Sequence, residues 1–75
     1  MRILDSARKH GVTDEQIMAA LQVPYRQYRQ GVDRLLVIGA DHSSQLLELV
    51  VVDPESDDPC VIHAMKMRKK FQSLL

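Results

Sequence analysis

Three histidines, one cysteine and a run of cations near the C-terminus are the side chains of this 75-residue chain best suited to chemistry. Histidine alone titrates near neutrality without help, so His10, His42 and His63 come first. His10 shares a helical stripe with Ile3, Leu4 and Ala7, near the end of a first helix, where it is either packed or capping. His63 falls inside a strand with Val61 as its same-face neighbour, as a satisfied sheet histidine or as a reactive group. His42, beside Asp41, reads as a solvated turn residue. Cys60 and His63 are three apart, which on a regular strand turns them to opposite faces. That spacing argues against a shared metal and against a Cys–His nucleophilic pair, and no second cysteine or paired histidine motif supplies further ligands. No metal and no cofactor is expected.

The cations offer more. Lys66, Lys69 and Lys70 form a patch able to track phosphates, and Arg68 at its border can make a bidentate contact. From that border position Arg68 is expected to be replaceable without disturbing the fold. Arg8 and Lys9 on the first helix, and Arg26, Arg29 and Arg34 on the first hairpin, add further positive charge. If these converge, the sheet presents a cationic hollow in which RNA is cut by its own 2′-hydroxyl. Such a reaction needs cations around the scissile phosphate more than a dedicated base. The bland alternative is a solvated amphipathic helix. The acidic segment with Asp53, Glu55, Asp57 and Asp58 likewise has two readings, a soluble turn or a charge folded over a basic face.

The elements that must position these groups follow from periodicity and punctuation. A first helix spans Ile3 to His10, ended by Gly11. A second opens at Thr13, whose spacing to Gln16 forms a capping box, with Val12 and Ile17 as a hydrophobic staple. Pro24 stops it. Strands then follow at Tyr25–Gln30, polar and suited to an edge, and at Leu35–Ile38, ended by Gly39. Gly31-Val32-Asp33 turns between them. Gln45–Val52 carries Leu47, Leu49 and Val51 on one face and Leu46, Val50 and Val52 beside Glu48 on the other, so it is central in its sheet. Cys60–Ala64 is the last strand, and a helix with Ala64, Met67, Phe71 and Leu74 on one stripe ends the chain. The expected fold is one α+β domain over residues 1–75. Two N-terminal helices pack on a three- to four-stranded antiparallel sheet, and a short C-terminal helix follows.

Size and composition bound the function. A chain this short buries only about 60% of its unfolded surface, so a homodimer or partner would add burial that the monomer lacks. Ten basic and ten acidic residues cancel, which excludes binding of nucleic acid by whole-protein charge and leaves local fields to act. A single cysteine rules out an internal disulfide and fits a reducing compartment. Neither a membrane-spanning run nor an N-terminal signal region is evident, and a cytoplasmic protein that does not engage membranes is expected.

Three segments also carry a resemblance. Lys9-His10-Gly11-Val12, followed by an acid-rich helix, resembles the N-terminal signature of BrnT-type toxins. Leu36-Val37-Ile38-Gly39 and Gln45-Leu46-Leu47-Glu48-Leu49-Val50 resemble the paired central strands of that group. Val61-Ile62-His63-Ala64, with Arg68 after it, resembles the last strand and the basic segment behind it. The group belongs to the RelE/ParE toxin superfamily, whose members form toxin–antitoxin pairs. Many cleave messenger RNA, while the ParE branch acts on gyrase. The resemblance implies a metal-independent ribonuclease toxin, acting on RNA on or off the ribosome and neutralised by a cognate antitoxin. Lys9, Arg34, His63 and Arg68 would then contact RNA or stabilise the phosphate, with Arg8, Arg26, Arg29, Lys66, Lys69 and Lys70 binding the nucleic acid around them. Two departures stand out: Ser43-Ser44 replaces the usual glycine of the central hairpin, and the middle strands are poor in basic residues. The alternative is a non-catalytic interaction module, dimeric or partner-binding through a sheet edge.

Overall fold

A computed structural model describes residues 1–75. Its frame is a five-stranded sheet in the order β1 (Arg2–Ile3), β5 (Cys60–Lys66), β4 (Leu46–Val52), β3 (Arg34–Ala40), β2 (Pro24–Arg29). Neighbouring pairs are antiparallel except β1–β5, which is parallel. The α+β class is as expected, but the sheet is mixed and larger, and it carries only one α-helix, α1 (Asp14–Gln22).

The segment expected as the first helix divides instead. Arg2 and Ile3 add a short strand to β5, with the Arg2 amide donating to the Pro59 carbonyl and the Leu4 amide to that of Val61. Only Asp5–Arg8 turns, as a 3-10 turn. Pairing with an open strand edge satisfies backbone groups that a lone helix of two turns would leave marginal. The second helix forms as its signals require. Thr13 Oγ1 accepts from the Gln16 amide at 3.1 Å, and Gln16 Oε1 accepts from the Thr13 amide at 2.9 Å. Val12 and Ile17, the staple residues, are both buried.

α1 and the 3-10 turn cover one face of the sheet. Ala7, Ile17 and Ala20 meet Val37, Leu47, Leu49, Val51, Val61 and Ala64 there in one core. Gly39 is what lets α1 approach so closely. It does not end its strand but lies inside β3, and a Cβ built on it would run into the Ala20 carbonyl group.

The C-terminus departs most from expectation. Ala64 to Lys66 stay in β5, paired down to Lys66 opposite Leu47, and the Met67 amide still donates to Leu46 at 3.0 Å. Ladder pairing thus consumes the residues that would have started a helix. Lys69–Leu74 forms a 3-10 turn with no fully buried residue. It is fastened at one end to β4, where the Arg68 amide reaches Glu48, and at the other to β2, where Tyr28 donates to the Leu74 carbonyl and Arg26 to that of Leu75. The turn therefore crosses the second face of the sheet above Leu36 and Ile38, which are 3% and 0% exposed.

Gly39→Ala should lower the free energy of unfolding by about 1–3 kcal/mol, because the new methyl group meets backbone. Thr13→Ala should cost about 1 kcal/mol through the lost cap. Urea unfolding followed by circular dichroism measures both, and a Gly39→Ala midpoint equal to wild type would show that α1 does not bear on β3 there.

Candidate functional site

A bulge in β5 decides what meets what. Val51 lies opposite Val61 and Val50 opposite His63, so Ile62 is an extra residue between them. This lets Val61 and Ala64, three apart, both enter the core. It also corrects the regular-strand reading of the last strand. His63 does not share a face with Val61, and Cys60 and His63, opposite Val52 and Val50, lie on the same face. They remain separated along the strand, with Cys60 Sγ turned to the Asp58 carbonyl. No group of three His, Cys, Asp or Glu side chains is close enough to hold a metal ion.

That face carries Glu48 at its centre. Glu48 stands in β4 between Ile38 of β3 and Met65 of β5, and it is 0% exposed. Burying a carboxylate is costly unless it is matched by charge and hydrogen bonds. Arg68 provides both. Its guanidinium Nη2 donates to Oε1 at 2.6 Å, Nε reaches both oxygens at 3.1 Å, and its amide donates to Oε2 at 3.0 Å. His63 Nε2 completes the set, 2.9 Å from Oε1. Burial alone would push the Glu48 carboxyl up, but the bonds from the Arg68 side chain, the Arg68 amide and His63 outweigh it and hold the carboxyl below its ordinary value. Glu48 is thus an anion, and an ionised carboxylate only accepts hydrogen bonds. The proton of the His63–Glu48 contact therefore sits on Nε2.

The network opens to solvent on one side. The Arg68 side chain remains 45% exposed, with its guanidinium carbon 5.5 Å from the centre of the Phe71 ring; Lys70 Nζ lies 5.1 Å from the same ring. Exposed His10 packs edge-to-face on His63, ring centres 5.6 Å apart. His10 arrives because the N-terminal segment is laced to β5, where Ser6 Oγ donates to the Ile62 carbonyl at 2.6 Å, and because Gly11 at φ +76° turns the chain away behind it.

The other cations do not converge. Arg8 is held between Asp5 and Asp14, and Asp14 chiefly raises its affinity for the proton. Arg29 pairs with Glu55 at the far end of the sheet, and Arg26 with the C-terminal carbonyl. Arg34 lies opposite Val52, about 13 Å along β3 from the position facing Glu48. Lys66 points with Leu47 toward the α1 face at its exposed end. Lys9 and Lys69, the chain neighbours of His10 and Arg68, are exposed. The acidic loop is more than a solvated turn, since Asp58 pairs with Arg2 as well as Glu55 with Arg29. The open cavity of about 330 Å³ at that end holds Asp33, Asp53 and Glu55 around Arg29, a poor host for a polyanion.

Of the residues singled out in the sequence, His63 and Arg68 are joined and the rest are dispersed or peripheral. Glu48 was not among them, although it had a signal, a lone carboxylate in a strand apolar on both faces. His10, one of the three histidines weighed at the outset, was expected to be packed or capping, and its contact with His63 had no signal because it depends on how β1 docks. Arg68 is also no free border residue, since its removal would strand a buried anion.

Nothing matches this chain among protein-family models, curated proteins or solved structures. No helix in it is long and apolar enough to cross a membrane.

Glu48, with its folded-state value below the ordinary 4.5, contributes stability that is complete above that value and lost as pH falls through the lower one. The urea midpoint should therefore fall on acidification below about 4.5, and the fall should be shallower in Glu48→Gln. An equally steep acid limb in that variant would assign the linkage to other carboxylates.

Proposed function

We propose that the chain is a metal-independent ribonuclease of the toxin type, RelE/ParE-like in fold, in which Arg68 binds the scissile phosphate and His63 moves a proton. The observation that carries this reading is the exposed guanidinium of Arg68 fixed beside the His63 imidazole on one buried carboxylate. Cleavage of RNA by its own 2′-hydroxyl needs a cation where negative charge grows on phosphorus and a base at the attacking oxygen. Glu48 holds both groups in place before substrate arrives. Lys70, which meets the same Phe71 ring as Arg68, is an exposed cation close to the proposed phosphate site. The resemblance of the three segments to BrnT-type toxins supports the same reading, with a cognate antitoxin as partner.

A second reading, a binding module without catalysis, is favoured by one feature. β2 is an edge strand whose outer side has no neighbour and whose residues Pro24–Gln27 are exposed, so a strand from an antitoxin or from a second copy can extend the sheet.

The purified chain, assayed with RNA in the presence of EDTA, should yield fragments ending in 2′,3′-cyclic phosphate and 5′-hydroxyl. Arg68→Lys keeps a cation near Glu48 but loses the planar fork, and should slow cleavage by roughly 100-fold while the fold survives. Intact RNA under these conditions, with a stable dimer or a tight complex with a neighbouring gene product in sedimentation, would decide for the binding module.

A further inference from the structure

We infer that His10 is the general acid of this site, the partner of His63 in a two-histidine proton relay across one RNA phosphate. The inference rests on the ribonuclease reading above and adds to it a catalytic group from a different segment of the chain.

An in-line displacement places the entering and leaving oxygens on opposite sides of phosphorus. Its two proton-transfer groups must therefore approach a single phosphate from two directions, and a base on β5 needs a counterpart from elsewhere. His10 is that counterpart. It lies on the N-terminal segment, its ring is in edge-to-face contact with His63, and it is exposed. The two imidazoles also differ in a way that divides the work. His63 has Nε2 committed to Glu48 Oε1, so its neutral form presents a lone pair at Nδ1. His10 is exposed, and its contact is the edge-to-face packing on His63 rather than a hydrogen bond to a carboxylate. Arg68 shares Glu48 Oε1 with His63 Nε2, so the guanidinium and the imidazole are held on the same carboxylate.

The reaction then balances without an added reagent. The 2′-hydroxyl proton passes to His63 Nδ1 as the 2′-oxygen bonds to phosphorus. The bond from phosphorus to the 5′-oxygen breaks, and that oxygen takes a proton from the His10 imidazolium. The products are a 2′,3′-cyclic phosphate and a 5′-hydroxyl. His63 is left protonated beside the Glu48 anion and His10 neutral, and exchange with water resets both.

The test uses an RNA oligonucleotide cut by the wild-type chain, and the same oligonucleotide with sulfur replacing the bridging 5′-oxygen at the mapped cut. A thiolate leaves without protonation, so a general acid matters only for the oxygen substrate. His10→Ala should lose roughly 100-fold or more on the oxygen substrate and stay within a few-fold of wild type on the sulfur substrate. His63→Ala should lose activity on both. His10→Asn, which keeps a polar side chain of similar reach, should behave as His10→Ala does. Near-wild-type cleavage of the oxygen substrate by His10→Ala, or an equal loss on both substrates, would overturn the assignment of His10. Failure of the wild-type chain to cut either substrate would instead overturn the ribonuclease reading beneath it.

Discussion

The buried carboxylate of Glu48 is the constraint around which the second face of this protein is arranged. An anion at zero exposure in the middle strand is tolerable only with full compensation, and every compensating group comes from β5 or from Arg68, two residues beyond it. β5 must therefore pair along its whole length, and Arg68 must follow in extended backbone so that its amide and its guanidinium both reach back. The 3-10 turn that closes the second face starts from that anchor. The same carboxylate fixes the tautomer of His63 and the direction of the Arg68 fork, so a single buried charge links stability with the proposed chemistry.

The site also depends on two irregularities that serve the core first. The bulge at Ile62 allows Val61 and Ala64 both to enter the core, and in doing so turns His63 to the face of Glu48. The parallel docking of Arg2 and Ile3 completes the sheet edge, and in doing so carries His10 to His63. Both histidine contacts are thus consequences of how apolar side chains were buried. A regular β5 would have sent His63 into the core and left Glu48 with Arg68 alone.

Charge is arranged by cancellation rather than by accumulation. The chain is neutral overall, and Arg2, Arg8 and Arg29 are each matched by a carboxylate on the surface, where such pairs add little stability. Those pairs remove positive charge from the ends of the sheet. Lys70 stays unmatched beside the Glu48 network, on the Phe71 ring that Arg68 also meets, while Arg34 and Lys66 stay unmatched elsewhere on the sheet. A chain without net charge can thus still carry local positive fields.

How much of this was legible in the sequence follows from the range of the interactions. The capping box at Thr13 and Gln16, the staple, the edge character of β2, the turn at Gly31–Asp33 and the central place of β4 rest on contacts within a few residues or on simple alternation, and all are present. The N-terminal and C-terminal helices failed because each lies next to a sheet edge or ladder that offered its backbone better hydrogen bonds than a short helix could. Gly39 looked like punctuation and is a docking surface, which only the approach of Ala20 reveals. His63 and Arg68 could be nominated by residue type, but their union through Glu48, the bulge that aims His63 and the arrival of His10 come from register and docking. Local sequence determined the elements, because their signals act through neighbouring residues. Tertiary structure alone decided the site, because its four groups are brought together from three separate segments by the burial of a core they do not belong to.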